Sequence, residues 1–199
     1  MEKERLAAFS DGVLAIIITI MVLELKVPHG ADWTALAKLA PVFLSYVMSF
    51  VYIAIYWHNH HHLLHATARV NGAILWANTN LLFWLSLVPF TTGWMGENHF
   101  APKPVALYGL SLFMPAISYF ILQTAIVRSG EIDENVAKSF GRDAKGKLSI
   151  VAYAAAVALA LVAPYLSMAV YALIAIVWLI PDRRIARALV KTDKQQTID

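Results

Sequence analysis

The most constraining feature of the sequence is an apolar run over residues 6–25. About 20 mostly apolar residues are the length that an α-helix needs to cross the hydrocarbon core of a bilayer. The composition agrees, because 59% of the residues are hydrophobic and only 15% are charged, whereas about a quarter of a soluble domain is charged. We therefore predict an integral membrane protein that contacts the lipid bilayer.

Five further apolar segments predict membrane-spanning helices at residues 39–57, 72–89, 104–127, 148–163 and 166–180. Residues 148–180 are too many for one straight span, and Pro164 near their middle places a tight turn between two short spans. Pro115 predicts a kink in the fourth span. The expected fold is all-α, a single domain over residues 1–199 with six transmembrane helices.

The distribution of basic residues predicts the orientation. With both termini in the cytoplasm, only Lys26, Lys38 and Lys103 of the sixteen Lys and Arg residues fall in outer loops. Cytoplasmic segments normally carry the excess of Lys and Arg. This topology also explains the net charge of +3, so we expect no nucleic-acid partner. The absence of cysteine excludes disulfides and cysteine-based metal or nucleophile sites.

The histidines suggest chemistry most directly, because "YWHNHHHLLH" holds five of the seven. His58, His61, His62 and His65 lie on one face of a helix, and the spacing matches the HxxHH box of membrane di-iron desaturases. His29 and His99 fall in outer loops, so one box cannot complete a di-iron site. We predict no metal cofactor and no enzyme. The four histidines remain weak metal candidates, with a polar helix end as the favoured interpretation.

The first helix has two different sides at about 100° per residue. Gly12, Ile16, Ile20 and Leu23 cluster on one side, and Asp11 lies roughly opposite Ile16. A carboxylate inside a membrane is costly and normally pairs within the helix bundle. Its candidate partners are the histidines of residues 58–65, Arg5, Arg69 and the amides of Asn71 and Asn78. In the third span, Asn71, Asn78, Thr79 and Asn80 predict hydrogen bonds between helices.

These residues resemble a known family. Arg5-x-x-x-Phe9-Ser10-Asp11 is similar to the R-x-x-x-F-S-D signature of the endosomal/lysosomal potassium channel family, whose members lack the usual TVGYG filter. The segments "VLAIIITIMVLEL", "YWHNHH" and "LLFWLSLVPF" resemble its prokaryotic branch. The similarity covers residues 5 to about 90. The last three spans resemble the family only in number and hydrophobicity.

The resemblance implies a homotetramer of six-helix subunits in the plasma membrane of a prokaryotic cell, with the first helix of each subunit lining a central pore. The family's apolar constriction lies five, nine and twelve residues after the aspartate, which corresponds to Ile16, Ile20 and Leu23, with Thr19 beside it. The resemblance also implies an interhelical network, and its members here are Arg5, Phe9, Ser10, Asp11, Gly12, His60, His61 and Asn78. The extra histidines His58, His62 and His65 leave a pH or metal effect on gating open.

The expected function is a potassium channel with potassium as the permeant ion and no cofactor. No TVGYG run exists in the sequence, so a hydrophobic constriction must make ions shed water. Potassium loses water at lower cost than sodium, which predicts modest selectivity among monovalent cations. Glu24 either concentrates cations at the pore mouth or is an ordinary helix-end carboxylate, in water or paired with Lys26. The alternative function is a proton- or metal-coupled transporter that uses Asp11 and the histidine cluster.

Overall fold

Every regular element in the described residues is a helix, so the predicted all-α class is confirmed. The computed structural model describes residues 3–130, 132 and 144–180. The helices are α1 (Lys3–Leu23), α2 (Trp33–Ala37), α3 (Ala40–His65), α4 (Gly72–Ser86), α5 (Val88–Glu97), α6 (Pro102–Arg128), α7 (Ala144–Ala160) and α8 (Pro164–Leu179).

Four helical segments of the described chain are long and apolar enough to cross a membrane. They are α1, α3, the combined segment Gly72–Glu97 and α6. The α8 helix is also apolar but has only 16 residues. The chain is therefore suited to span a bilayer several times, while the count of six spans stays a prediction. The basic residues predicted in the inner loop, at Lys138 and Arg142, and near the C-terminus, at Arg183, Arg184 and Arg187, lie outside the described residues.

Several helix boundaries differ from the predicted spans. The α3 helix continues past the predicted end at residue 57 to His65, so the histidine cluster is helical. The third predicted span ended at residue 89, but α5 continues to Glu97 after a break at Leu87. Pro89 and Pro164 each lie in the first turn of a helix, where the missing N–H costs no hydrogen bond. The turn before α8 therefore lies at residues 161–163 and not at residues 164–165, where the predicted spans placed it.

The short helix α2 was not predicted, although the sequence carries its start signal. The Asp32 carboxylate accepts hydrogen bonds from Ala35 N at 2.7 Å and from the Thr34 hydroxyl at 2.9 Å. Aspartate is a preferred N-cap residue because its side chain satisfies a free N–H of the first turn. These bonds, with the one from Ala35 contributing most, lower the pKa of the Asp32 carboxyl.

One face of α1 packs against the rest of its own chain. Its buried residues follow three- and four-residue spacing: Leu6, Ser10, Leu14, Ile17 and Met21. This face contacts α3, α4 and α5. The α1 helix has apolar residues on nearly all sides, so hydrophobicity alone does not distinguish the packed face from the exposed one.

A second core joins α3 to α6, α7 and α8 around buried tyrosines. The Tyr52 hydroxyl donates to the Tyr171 carbonyl at 2.5 Å, and Ser49 Oγ lies 2.7 Å from Thr92 Oγ1 and 3.0 Å from the Tyr108 hydroxyl. Within a bilayer, van der Waals packing and hydrogen bonds between helices hold such a bundle together. These bonds join α3 to α5, α6 and α8, and α1 packs on another side of α3.

Candidate functional site

A buried hydrogen-bond network joins α1, α3 and α4. The Asn78 side-chain nitrogen donates to Ser10 Oγ at 3.0 Å, and the Asn78 oxygen lies 2.6 Å from His60 Nε2. Ser10 Oγ donates to the Leu6 carbonyl at 2.8 Å. With the amide oriented in this way, His60 is the donor and carries its proton on Nε2. The network therefore provides hydrogen-bond partners for three polar side chains that are almost fully buried.

Asp11 is anchored by a residue that the sequence reasoning missed. The indole Nε1 of Trp57 on α3 donates to Asp11 Oδ1 at 2.9 Å. The predicted partners were the histidines, Arg5, Arg69 and two asparagines, and none of these forms the described hydrogen bond. The sequence did offer a signal for this partner. Trp57 directly precedes the histidine cluster, and its indole N–H can only donate a hydrogen bond, which makes it a candidate donor to a carboxylate.

The other predicted network residues lie on exposed surfaces of the single chain. Arg5, Phe9 and Gly12 are exposed on α1, and His61 is exposed on α3 with its ring 6.4 Å from that of Trp57. Among the described residues, neither Arg5 nor His61 has a side-chain hydrogen bond. The structure therefore brings Ser10, His60 and Asn78 together, but it leaves these four outside that network.

The polar residues of α4 divide into two groups. Asn78 and Asn80 bond to other helices, the second through a 2.8 Å hydrogen bond to Ser118 Oγ on α6. Asn71 instead caps its own helix by accepting from Ile74 N, and Thr79 donates to the Leu75 carbonyl. The prediction of hydrogen bonds between helices was therefore wrong for Asn71 and Thr79.

The face of α1 that carries the predicted constriction is exposed. The exposed fractions are 58% for Ile16, 42% for Ile20 and 79% for Leu23, and Thr19 is exposed beside them. This face lies away from the side that packs through Ser10, Leu14 and the other buried residues. The Thr19 hydroxyl donates to the Ile16 carbonyl at 2.9 Å, and its oxygen can still accept a hydrogen bond.

Glu24 lies in a groove between α1 and α5 at the far end from the histidines. The groove has a volume of about 530 Å³, and its lining includes Ile16, Ile20, Phe90 and Trp94. Lys26 forms an ion pair with Glu97 on α5, not with Glu24. The hydrogen bond and charge of Glu97 raise the pKa of Lys26, with a smaller contribution from Glu24. The proposed pairing of Glu24 with Lys26 is therefore wrong.

The five clustered histidines occupy two sides of α3. His60 faces inward to the network, while His58, His61 and His65 are exposed and His62 is half-buried. His58 Nε2 and His62 Nε2 are 3.2 Å apart. Across the parts of the chain that the structure describes, no three His, Cys, Asp or Glu side chains are arranged to hold a metal ion.

Comparisons with known proteins identify the class. The sequence model of a family described as "endosomal/lysosomal potassium channel TMEM175" matches residues 5–89. A protein named potassium channel from Chryseobacterium sp. (strain P1-3) is 51% identical over 189 residues, covering 95% of this chain and 98% of that protein. A protein from Bos taurus named "endosomal/lysosomal proton channel TMEM175" is 29% identical over 160 residues, covering 72% of this chain and 33% of that protein.

A solved structure agrees with the sequence comparisons. The crystal structure of a lysosomal potassium-selective channel TMEM175 homolog from Chamaesiphon minutus matches with a TM-score of 0.76 and 31% identity, covering 89% of this chain and 96% of that one. With its helices suited to span a membrane, the chain is therefore an integral membrane cation channel and not an enzyme. It belongs to the TMEM175 family.

The buried network makes a prediction about stability. Ser10→Ala removes the acceptor of the Asn78 amide and leaves a buried N–H without a partner, so we expect the free energy of unfolding to fall by about 1–2 kcal/mol. Chemical denaturation in detergent measures this change. Ser86→Ala is the control, because the exposed Ser86 donates only to the Phe83 carbonyl of its own helix. Equal stability of both variants would contradict an anchoring role for Ser10.

Proposed function

We propose that the protein is a homotetrameric channel for potassium and other monovalent cations, with the first helix of each subunit lining the pore. The observation that carries this proposal is that α1 has one side packed against its own chain and another side exposed. One side is held by the chain's own α3, α4 and α5, and the other exposes Ile16, Ile20 and Leu23. The relatives named as potassium channels support potassium as the permeant ion.

A single copy of α1 cannot enclose an ion path, so the pore requires several subunits around a common axis. Closed cyclic symmetry places the same helix face of each subunit toward that axis. The family resemblance supports four copies. The exposed face of α1 then becomes the pore wall, while the Ser10–Asn78–His60 network remains inside each subunit.

The apolar side chains on the exposed face of α1 determine how the proposed channel selects between ions. Ile16 and Leu23 are separated by about 10 Å along the helix, so rings of Ile16, Ile20 and Leu23 form a narrow apolar passage. An ion must shed part of its water there, and such a constriction also gates by losing its own water. Potassium holds its water less tightly than sodium, which yields modest selectivity. The hydroxyl oxygen of the exposed Thr19 offers partial compensation to the passing cation.

Glu24 supplies negative charge at the pore mouth. Its carboxylate lies in the groove beside Ile20, whereas Lys26 is paired with Glu97. Among the residues that the structure describes, no cation forms a direct ion pair with Glu24, so its charge is available to attract cations toward the entrance. Such attraction is long-range and is screened by salt.

The proposed topology has six spans with both termini in the cytoplasm of a prokaryotic cell, in its plasma membrane. Lys3 donates to the carbonyls of His65 and Thr67, which places the start of α1 beside the end of α3, as alternating spans require. The chain has no cysteine, so labelling of single introduced cysteines from each side tests this orientation. The proposed orientation would be contradicted if the loops before and after α3 were labelled equally from the same side of the membrane.

The described contacts favour a channel over a coupled transporter. Asp11 is held by Trp57 on a side of α1 away from Ile16, and His60 is separated from the exposed histidines by the body of α3. The carboxylate of that alternative is therefore directed away from the proposed ion path. In liposomes, electrogenic potassium flux without coupled proton movement would indicate a channel, and proton-coupled flux would indicate a transporter. The same assay, with a proton gradient alone, measures proton permeation, the activity in the name of the Bos taurus relative.

The constriction predicts a change in selectivity. Ile16→Asn introduces an amide that replaces lost water around sodium as well as potassium, so the potassium/sodium permeability ratio should fall toward unity. Reversal potentials under bi-ionic conditions measure the ratio. Val22→Asn is the control, because Val22 is exposed on another side of α1. An unchanged ratio in Ile16→Asn would count against this residue as part of the filter.

The charge at the mouth predicts a salt-dependent current. Glu24→Gln should lower the potassium current at low ionic strength and have little effect near 1 M salt, where the Debye length falls to about 3 Å. Glu24→Asp keeps the charge and serves as the control, with a current close to that of the parent protein. A reduction in Glu24→Gln that is the same at all salt concentrations would exclude electrostatic attraction as its cause.

A further inference from the structure

The exposed side of α3 carries two pairs of histidines at i, i+4 spacing, and the structure distinguishes between them. In the pair His58 and His62, the ring centroids are 4.5 Å apart and the two Nε2 atoms are separated by 3.2 Å. In the pair His61 and His65, the centroids are 6.1 Å apart. Only in the first pair does the described structure bring two ring nitrogens within hydrogen-bonding distance, so one Nε2 proton separates them in the metal-free chain.

The separation in the first pair matches that of two ligands on one metal ion. Zinc–nitrogen bonds are about 2.0–2.1 Å, so two nitrogens at a tetrahedral angle lie roughly 3.3–3.4 Å apart. At a square-planar angle they lie about 2.9 Å apart, which is the arrangement that copper and nickel prefer. The observed 3.2 Å falls between the two values.

The surroundings of the pair permit a metal ion to enter. His58 is exposed and His62 is half-buried, so one side of the pair is open to water that can complete the coordination shell. Two imidazoles one helical turn apart are also the zinc-binding element of the H-E-x-x-H motif. Because both residues belong to α3, the site needs no rearrangement of neighbouring helices.

We propose that His58 Nε2 and His62 Nε2 chelate one divalent transition-metal ion of the Cu²⁺, Ni²⁺ and Zn²⁺ class at the C-terminal end of α3. Water completes the coordination, since no third His, Cys, Asp or Glu in the described chain joins the pair. The metal links two successive turns of α3 directly after Trp57, the residue that holds Asp11. The site is separate from the proposed pore and does not depend on it.

The test is equilibrium dialysis of the purified full chain in detergent against NiCl₂ and ZnCl₂, with an affinity tag that contains no histidine. We expect one metal ion per chain. His58→Gln and His62→Gln should each weaken binding by at least about tenfold, since even loss of a residue that only supports a ligand costs 10–100-fold. A metal-dependent rise in the unfolding temperature should disappear in the same two variants, because a ligand of the folded state stabilises it.

The control is His65→Gln, which removes an imidazole from the same helix end but belongs to the wider pair. It should bind metal as the parent protein does. The proposal is overturned if the parent protein binds no metal, or if either variant of the close pair retains full affinity. Equal weakening by His65→Gln would also overturn it, because the metal would then be held by the cluster as a whole.

Discussion

The structure depends on the hydrogen bonds of one amide, that of Asn78. Its nitrogen bonds to Ser10 on α1 and its oxygen to His60 on α3, so it sets which side of α1 faces the subunit. Polar groups buried in a membrane must be satisfied within the protein. Rotating α1 about its axis would leave these side chains unpaired, whereas apolar packing alone would tolerate several rotations of so uniformly apolar a helix.

This anchoring explains why one apolar face of α1 stays exposed. The polar side chains of α1, Ser10 and Asp11, hold the helix to α4 and α3. The apolar residues Ile16, Ile20 and Leu23 remain exposed as a result. In the proposed tetramer, selectivity then arises from the cost of removing water from an ion, and the anchor keeps this face of α1 directed at the axis.

Part of this arrangement could be predicted from the sequence. The helical class, a helix break near Pro164 and the opposite placement of Asp11 and Ile16 follow from apolar run lengths, proline chemistry and helical period. The partner of Asp11 could not be derived in that way, because several donors lie at the same end of the bundle and only packing selects Trp57. The pairing of Lys26 with Glu97 likewise depends on how the ends of α1 and α5 meet.

The central claim is that the exposed face of α1 lines the ion path, and cysteine accessibility during ion conduction tests it most directly. The chain has no cysteine of its own. A water-soluble thiol reagent should block potassium current through Ile16→Cys, Ile20→Cys and Leu23→Cys, and it should leave current through Leu14→Cys and Ile17→Cys unchanged. Block at the two buried positions together with free conduction at the three exposed ones would contradict the account.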